Sequence, residues 1–148
     1  MHELVFLNIL VAVDGSPSSH RALEQAFDVA RAMNSKLTLV TVAPLPSMYV
    51  TLGGVSSETM SDELDRWASG ILAAAVEAVP EDLVAHTLQR SGHPGPEIAD
   101  VLERGGFDLV VLGTRGRGRA QEGLLGSVNG YLHFHSRVPL LSVPEDGA

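Results

Sequence analysis

The stretch Leu109-Val110-Val111-Leu112-Gly113-Thr114-Arg115-Gly116-Arg117-Gly118-Arg119 joins four aliphatic residues to a loop of glycine and arginine. A short, continuous apolar run stopped by glycine reads as a strand buried on both faces, the kind found in parallel sheets. Gly126-Ser127 then opens a helix expected over about residues 126–135. Glycine permits close backbone approach, and a helix N-terminus offers unpaired N–H groups and partial positive charge. Strand, Gly/Arg loop and helix start together make a plausible anion cradle, which points to a nucleotide.

The same strand type recurs at Phe6-Leu7-Asn8-Ile9-Leu10-Val11-Ala12-Val13. Asp14-Gly15-Ser16-Pro17 stops it, with Ser16 suited to cap a helix and Pro17 to its first position. Leu23, Ala26, Phe27, Ala30 and Met33 follow at helical spacing, and Asn34-Ser35 ends the helix. Leu37 to Val42 is a second strand. Residues 43 to 58 hold two prolines and two glycines and read as the longest loop. Met60, Leu64, Trp67, Ala68, Ile71, Leu72, Ala75 and Val79 trace a second helix. Val84 to Gln89 reads as an edge strand. A turn at residues 92–96 leads to a third helix opened by Pro96-Glu97 and closed by Gly105-Gly106. Phe107 to Leu112 is the fourth strand and Val138 to Val143 the fifth. Strands alternating with helices imply parallel βαβ units in a three-layer α/β sandwich.

At 148 residues the chain is expected to form one domain, which buries roughly 70% of its unfolded surface. It has no cysteine, which excludes disulfides, thiolate catalysis and Cys-ligated metal sites. Ten basic against eighteen acidic residues give a net charge of −8, unsuited to general nucleic-acid binding. No apolar run approaches a membrane span, and Met1-His2-Glu3 lacks a basic leader. A cytoplasmic protein is the expectation.

Alternative motifs fail on particular residues. A Walker P-loop would run from Gly113 to Gly118, but Arg119-Ala120 stands where Lys and Ser/Thr must touch phosphate and Mg²⁺. In the dinucleotide pattern, Gln121 occupies the third glycine's place. Arg115, Arg117 and Arg119 read either as a phosphate clamp or as solvated loop charge. His133 and His135 are two apart on a helix and do not share a face, so no metal site is expected. Trp67 and the methionines read as core or interface filler. Ser127 lacks the elbow of a serine nucleophile.

Three elements together resemble the universal stress protein family, in its nucleotide-binding branch. They are Ile9 to Ser16, Phe107 to Gly113, and the run Gly113, two residues, Gly116, nine residues, Gly126-Ser127; the terminal strand Pro139-Leu140-Leu141-Ser142-Val143 adds to them. The resemblance covers nearly the whole chain. It implies a doubly wound, five-stranded parallel sheet of order 3-2-1-4-5 with helices on both faces. It also implies ATP, ADP or AMP, with or without Mg²⁺, at the switch point between strands one and four. Asp14 and the Val42 backbone would hold the adenosine end. Gly113, Arg115 and Gly116 would approach the ribose and phosphates, and Gly126, Ser127 and Val128 the terminal phosphates. A homodimer through Val138 to Val143 is implied as well.

Gln121, Glu122 and Gly123 interrupt the phosphate stretch, which makes the adenosine end the stronger half. Asn129 and Gly130 are expected to weaken the helix after Ser127. The leading expectation is a stress protein that binds adenine nucleotide as a dimeric, ligand-controlled switch. A slow ATPase or autophosphorylating enzyme is the catalytic alternative, for which no dedicated base or Mg²⁺-binding pair is visible. A nucleotide-free interaction protein is the third.

Overall fold

The computed structural model describes residues 5–48, 56–114 and 127–145. Five strands, β1 (Asn8–Ala12), β2 (Lys36–Ala43), β3 (Ala85–Ser91), β4 (Leu109–Gly113) and β5 (Leu140–Val143), form one parallel sheet of order β3-β2-β1-β4-β5. This is the expected doubly wound order. The helices are α1 (Pro17–Met33), α2 (Ser57–Ala78), α3 (Pro94–Gly105) and α4 (Ser127–His135). A single 3₁₀ turn spans Pro46–Met48, inside the segment read as loop, and α2 starts at Ser57, capped by Ser56.

The alternation of side chains along each strand divides the core in two. Ile9, Val11, Leu37, Leu39, Leu109 and Val111 face α1 and α2. Leu10, Val40, Val110 and Leu112 face α3 and α4 and pack on Ile98, Val101, Leu102 and Leu132. Most of these are fully buried, which explains why Ile9 to Ala12 and Leu109 to Leu112 are apolar at every position rather than every second one. Near their amino ends the strands are joined by one carboxylate. Asp108 Oδ2 accepts from the N–H groups of Leu7 and Asn8 at 2.8 and 2.9 Å.

Local chemistry sets the helix ends. Ser16 caps α1, its side chain accepting from the Ser19 N–H, and Pro17 occupies the first turn. Asn34 ends the helix in the left-handed conformation (φ 58°), and Gly106 does the same for α3 (φ 69°). α3 begins at Pro94, two residues before the expected Pro96-Glu97. Both prolines fall in the first turn, where the missing N–H groups have no intrahelical acceptor to lose.

An ion-pair network joins β3 to α3. Arg90 donates through Nε to Glu97 at 3.1 Å and through a terminal nitrogen to Asp100 at 2.5 Å; Arg104 donates to Asp100 at 2.9 Å. The Arg104 bond, then the Arg90 bond, hold the Asp100 carboxyl below its ordinary value of 3.8. A carboxylate depressed in the folded state stabilises fully above its unfolded pKa and loses that contribution as pH falls through the folded one. Asp100→Asn is therefore expected to melt a few degrees lower than the parent at pH 7, the pairs being partly solvated. The two melting curves should converge as the pH falls through the folded-state pKa, below the ordinary carboxylate value of 3.8, as thermal scans into acid would report.

Candidate functional site at the carboxyl ends of β1 and β4

Strand register decides which residues meet. Ala12 pairs with Val40 and Val11 with Val111. Carried two residues on, Asp14 stands level with Val42, and Val13 with Gly113. The three candidates nearest the sheet therefore share its carboxyl edge. Two hydrogen bonds reinforce this level: the Val13 N–H donates to the Val40 carbonyl at 2.9 Å, and Thr41 Oγ1 donates to the Val13 carbonyl at 2.7 Å.

The Asp14 turn is built by its own side chains. Asp14 Oδ1 accepts from the Ser16 N–H at 2.9 Å, and the Asp14 N–H donates to Ser19 Oγ at 3.0 Å. Gly15 between them has φ 83°, which L side chains rarely adopt. Asp14 thus builds the turn that follows β1. It remains half-exposed at the sheet edge.

Gly113 ends β4 under the first turn of α1. A Cβ built on it would lie 2.3 Å from Ser18 Oγ, 2.6 Å from the Ser18 carbonyl carbon and 2.8 Å from Ser18 Cβ. Helix packing therefore requires glycine here whether or not a ligand approaches. Sequence reasoning missed this, because Ser18 and Gly113 are neighbours only after α1 folds back across β4. Ser18 itself is fully buried.

α4 starts over the same edge. Ser127 is exposed at its first position, and Val128 is half-buried against the α3/α4 core. Asn129 Nδ2 donates to the Gly113 carbonyl at 3.1 Å, pinning the helix start to the strand end. Asn129 therefore anchors the helix it was expected only to weaken. Arg115, Gly116 and Gly126 lie outside the described residues, as do Arg117, Arg119 and Gln121 to Gly123.

Other candidates resolve plainly. Trp67 is half-exposed rather than core. With Val13, Gly15, Ser19, His20 and Gly70 it lines a groove of about 340 Å³ between α1 and α2 that opens beside the Asp14 turn. His135 closes α4, with Nδ1 placed 2.8 Å from the Tyr131 carbonyl and its ring stacked on Tyr131 at 3.9 Å. Among the described residues no cluster of His, Asp and Glu could hold a metal ion, and no helix is long and apolar enough to cross a membrane.

A family model described as the universal stress protein family matches residues 6–144. The chain is 30% identical over 149 residues to universal stress protein YxiE of Bacillus subtilis, covering 94% of this chain and 99% of that one. Among solved structures it resembles a universal stress protein in complex with cAMP (24% identity, TM-score 0.72, 97% and 100% covered). It also resembles a universal stress protein family protein of Arabidopsis thaliana with AMP bound (19% identity, TM-score 0.67, 95% and 93% covered).

Proposed function

The chain belongs to the universal stress protein family, and from that premise we propose that it binds an adenine nucleotide across the carboxyl ends of β1 and β4. ATP, ADP and AMP are the candidates. Bound nucleotide would make the protein a dimeric, ligand-controlled switch in the cytoplasm.

The observation carrying this reading is that Asp14, Val42 and Gly113 share the carboxyl edge of the sheet within one residue of register, with the start of α4 tied to the end of β4. The sheet divides there: β1 leads into α1 on one face, whereas β4 leads into α4 on the other. Open α/β sheets bind ligands at such a crevice, where loops diverge and helix starts point inward. The cAMP and AMP complexes of two proteins of this fold favour adenine as the base. In this reading Asp14 and the Val42 backbone take the adenosine end, Gly113, Arg115 and Gly116 the ribose and first phosphates, and Gly126, Ser127 and Val128 the terminal phosphates. Mg²⁺, where present, would neutralise the triphosphate. β5, the outermost strand on its side of the sheet among the described residues, would pair with a second copy, since an edge strand offers unsatisfied backbone groups.

Freshly purified protein is expected to release an adenine nucleotide detectable by mass spectrometry, and the stripped protein to titrate with ATP or AMP in calorimetry. Asp14→Asn keeps an acceptor for the Ser16 N–H but removes the charge, and should weaken binding about tenfold. Light scattering on the same sample should read two chains. No copurified nucleotide together with no heat at millimolar ATP and AMP would overturn the binding reading. A monomer at micromolar concentration would overturn the pairing through Val138 to Val143.

A further inference from the structure

Asn129 has one half of its side chain explained and the other half not. Nδ2 donates to the Gly113 carbonyl at 3.1 Å. Oδ1 is buried and has no hydrogen-bond partner among the described residues. The orientation is dictated by chemistry: the Gly113 carbonyl can only accept, so the amide nitrogen must face it and the oxygen must face elsewhere. Buried acceptors are nearly always paired, and one left without a donor is destabilising. An orphan held in place by a bond from its own amide is an acceptor already oriented for a donor that the described residues do not supply.

The chemistry of that group is constrained. A carboxamide oxygen repels phosphate oxygens and accepts only from N–H or O–H. Asn129 reaches the end of β4, level with Val13, while Asp14 follows β1, Val42 lies on β2 beyond it, and Ser127 precedes Asn129 by two residues on α4. In a nucleotide laid along this edge, base toward Val42 and phosphates toward Ser127, the groups between the two ends are the sugar hydroxyls.

We infer that Asn129 is a specificity-determining residue whose Oδ1 accepts a hydrogen bond from a ribose hydroxyl, so that the site favours ribonucleotides over their deoxy analogues. This rests on the nucleotide-binding reading above and adds to it the part of the ligand that is read. It also gives a reason for a carboxamide at this position: its nitrogen holds the Gly113 carbonyl while its oxygen remains an acceptor.

The test is a calorimetric comparison of ATP, 2′-deoxy-ATP and 3′-deoxy-ATP on the full chain. One of the two deoxy nucleotides should bind the parent protein about three- to tenfold more weakly than ATP, the worth of one neutral hydrogen bond. In Asn129→Ala and in Asn129→Leu, which keeps the volume, that penalty should shrink to less than about twofold. Melting curves identify which variant is folded for the titration. Equal affinity of the parent for all three nucleotides overturns the inference and leaves nucleotide binding standing. So does a deoxy penalty that persists unchanged in a folded variant. Failure of the parent to bind any of the three overturns both.

Discussion

Gly113→Ala is expected to be among the most destabilising single-methyl additions in the protein. The added carbon would sit 2.6 Å from a backbone atom of Ser18, so no side-chain rotation relieves the overlap. Either α1 lifts from β4 or β4 shifts within the sheet. Overpacking of this kind costs roughly 1–3 kcal/mol and more for larger residues, against a total stability of about 5–15 kcal/mol. Gly113→Val should therefore be close to unfolded at 37 °C. Ser18→Gly would relieve the Oγ and Cβ overlaps but not the one to the carbonyl carbon, so it should rescue Gly113→Ala only in part. Gly70, with nothing within 4 Å of its notional Cβ, is the control. It lies within α2, where Gly→Ala should stabilise by about 0.5–1 kcal/mol. Urea denaturation of the four single variants and the Ser18→Gly/Gly113→Ala double checks the ordering. Coincident curves for the parent and Gly113→Ala would show that α1 does not pack on β4 as described.

Leu132→Ala has the second large expected effect, and it couples stability to binding. α4 has nine residues, and Leu132 is its one buried side chain. It packs with Leu10, Val110, Leu112, Ile98 and Leu102 on the α3 side of the sheet. Truncation should cost about 2–5 kcal/mol through lost transfer energy and the remaining cavity. The helix would then be held mainly by the Asn129 bond to Gly113 and the half-buried Val128 and Tyr131. Ser127, Val128 and Asn129 would lose their common position, so nucleotide affinity should fall about tenfold or more even where the variant is folded. Ile9→Ala separates the two effects. Ile9 is equally buried, but on the opposite face and near the amino end of β1. Its loss should cost similar stability and little affinity. Calorimetry at 10 °C on both variants decides: equal affinities would show that α4 does not depend on Leu132 for its place at the site.

Elements were legible wherever the signal was local. The apolar runs at Ile9 to Val13 and Leu109 to Leu112 are buried strands because their side chains meet helices on both faces. Ser16-Pro17, Asn34 and Gly106 mark helix ends because capping bonds and positive φ are demands on one or two residues. α3 was the boundary read two residues late, since either of two prolines could open it and both fit the first turn. The extension of β3 to Ser91 depends on its pairing with Ala43, which no residue of β3 announces.

Composition and periodicity by themselves determined the fold class and the order of elements, because both follow from which faces must be buried and where the chain must turn; the family came from the resemblance carried by Ile9 to Ser16, Phe107 to Gly113 and the Gly113, Gly116, Gly126-Ser127 spacing. The resemblance also pointed to Asp14 and Gly113 as candidates. Only the tertiary structure decided why two of the residues are what they are. Gly113 is glycine because Ser18, far away in sequence, lies on it, and Asn129 is a tether with an unclaimed oxygen rather than a weak point in a helix. Both facts depend on contacts between elements, and the distance between two helices and a strand end is set by the packing of the whole core, which no local pattern records.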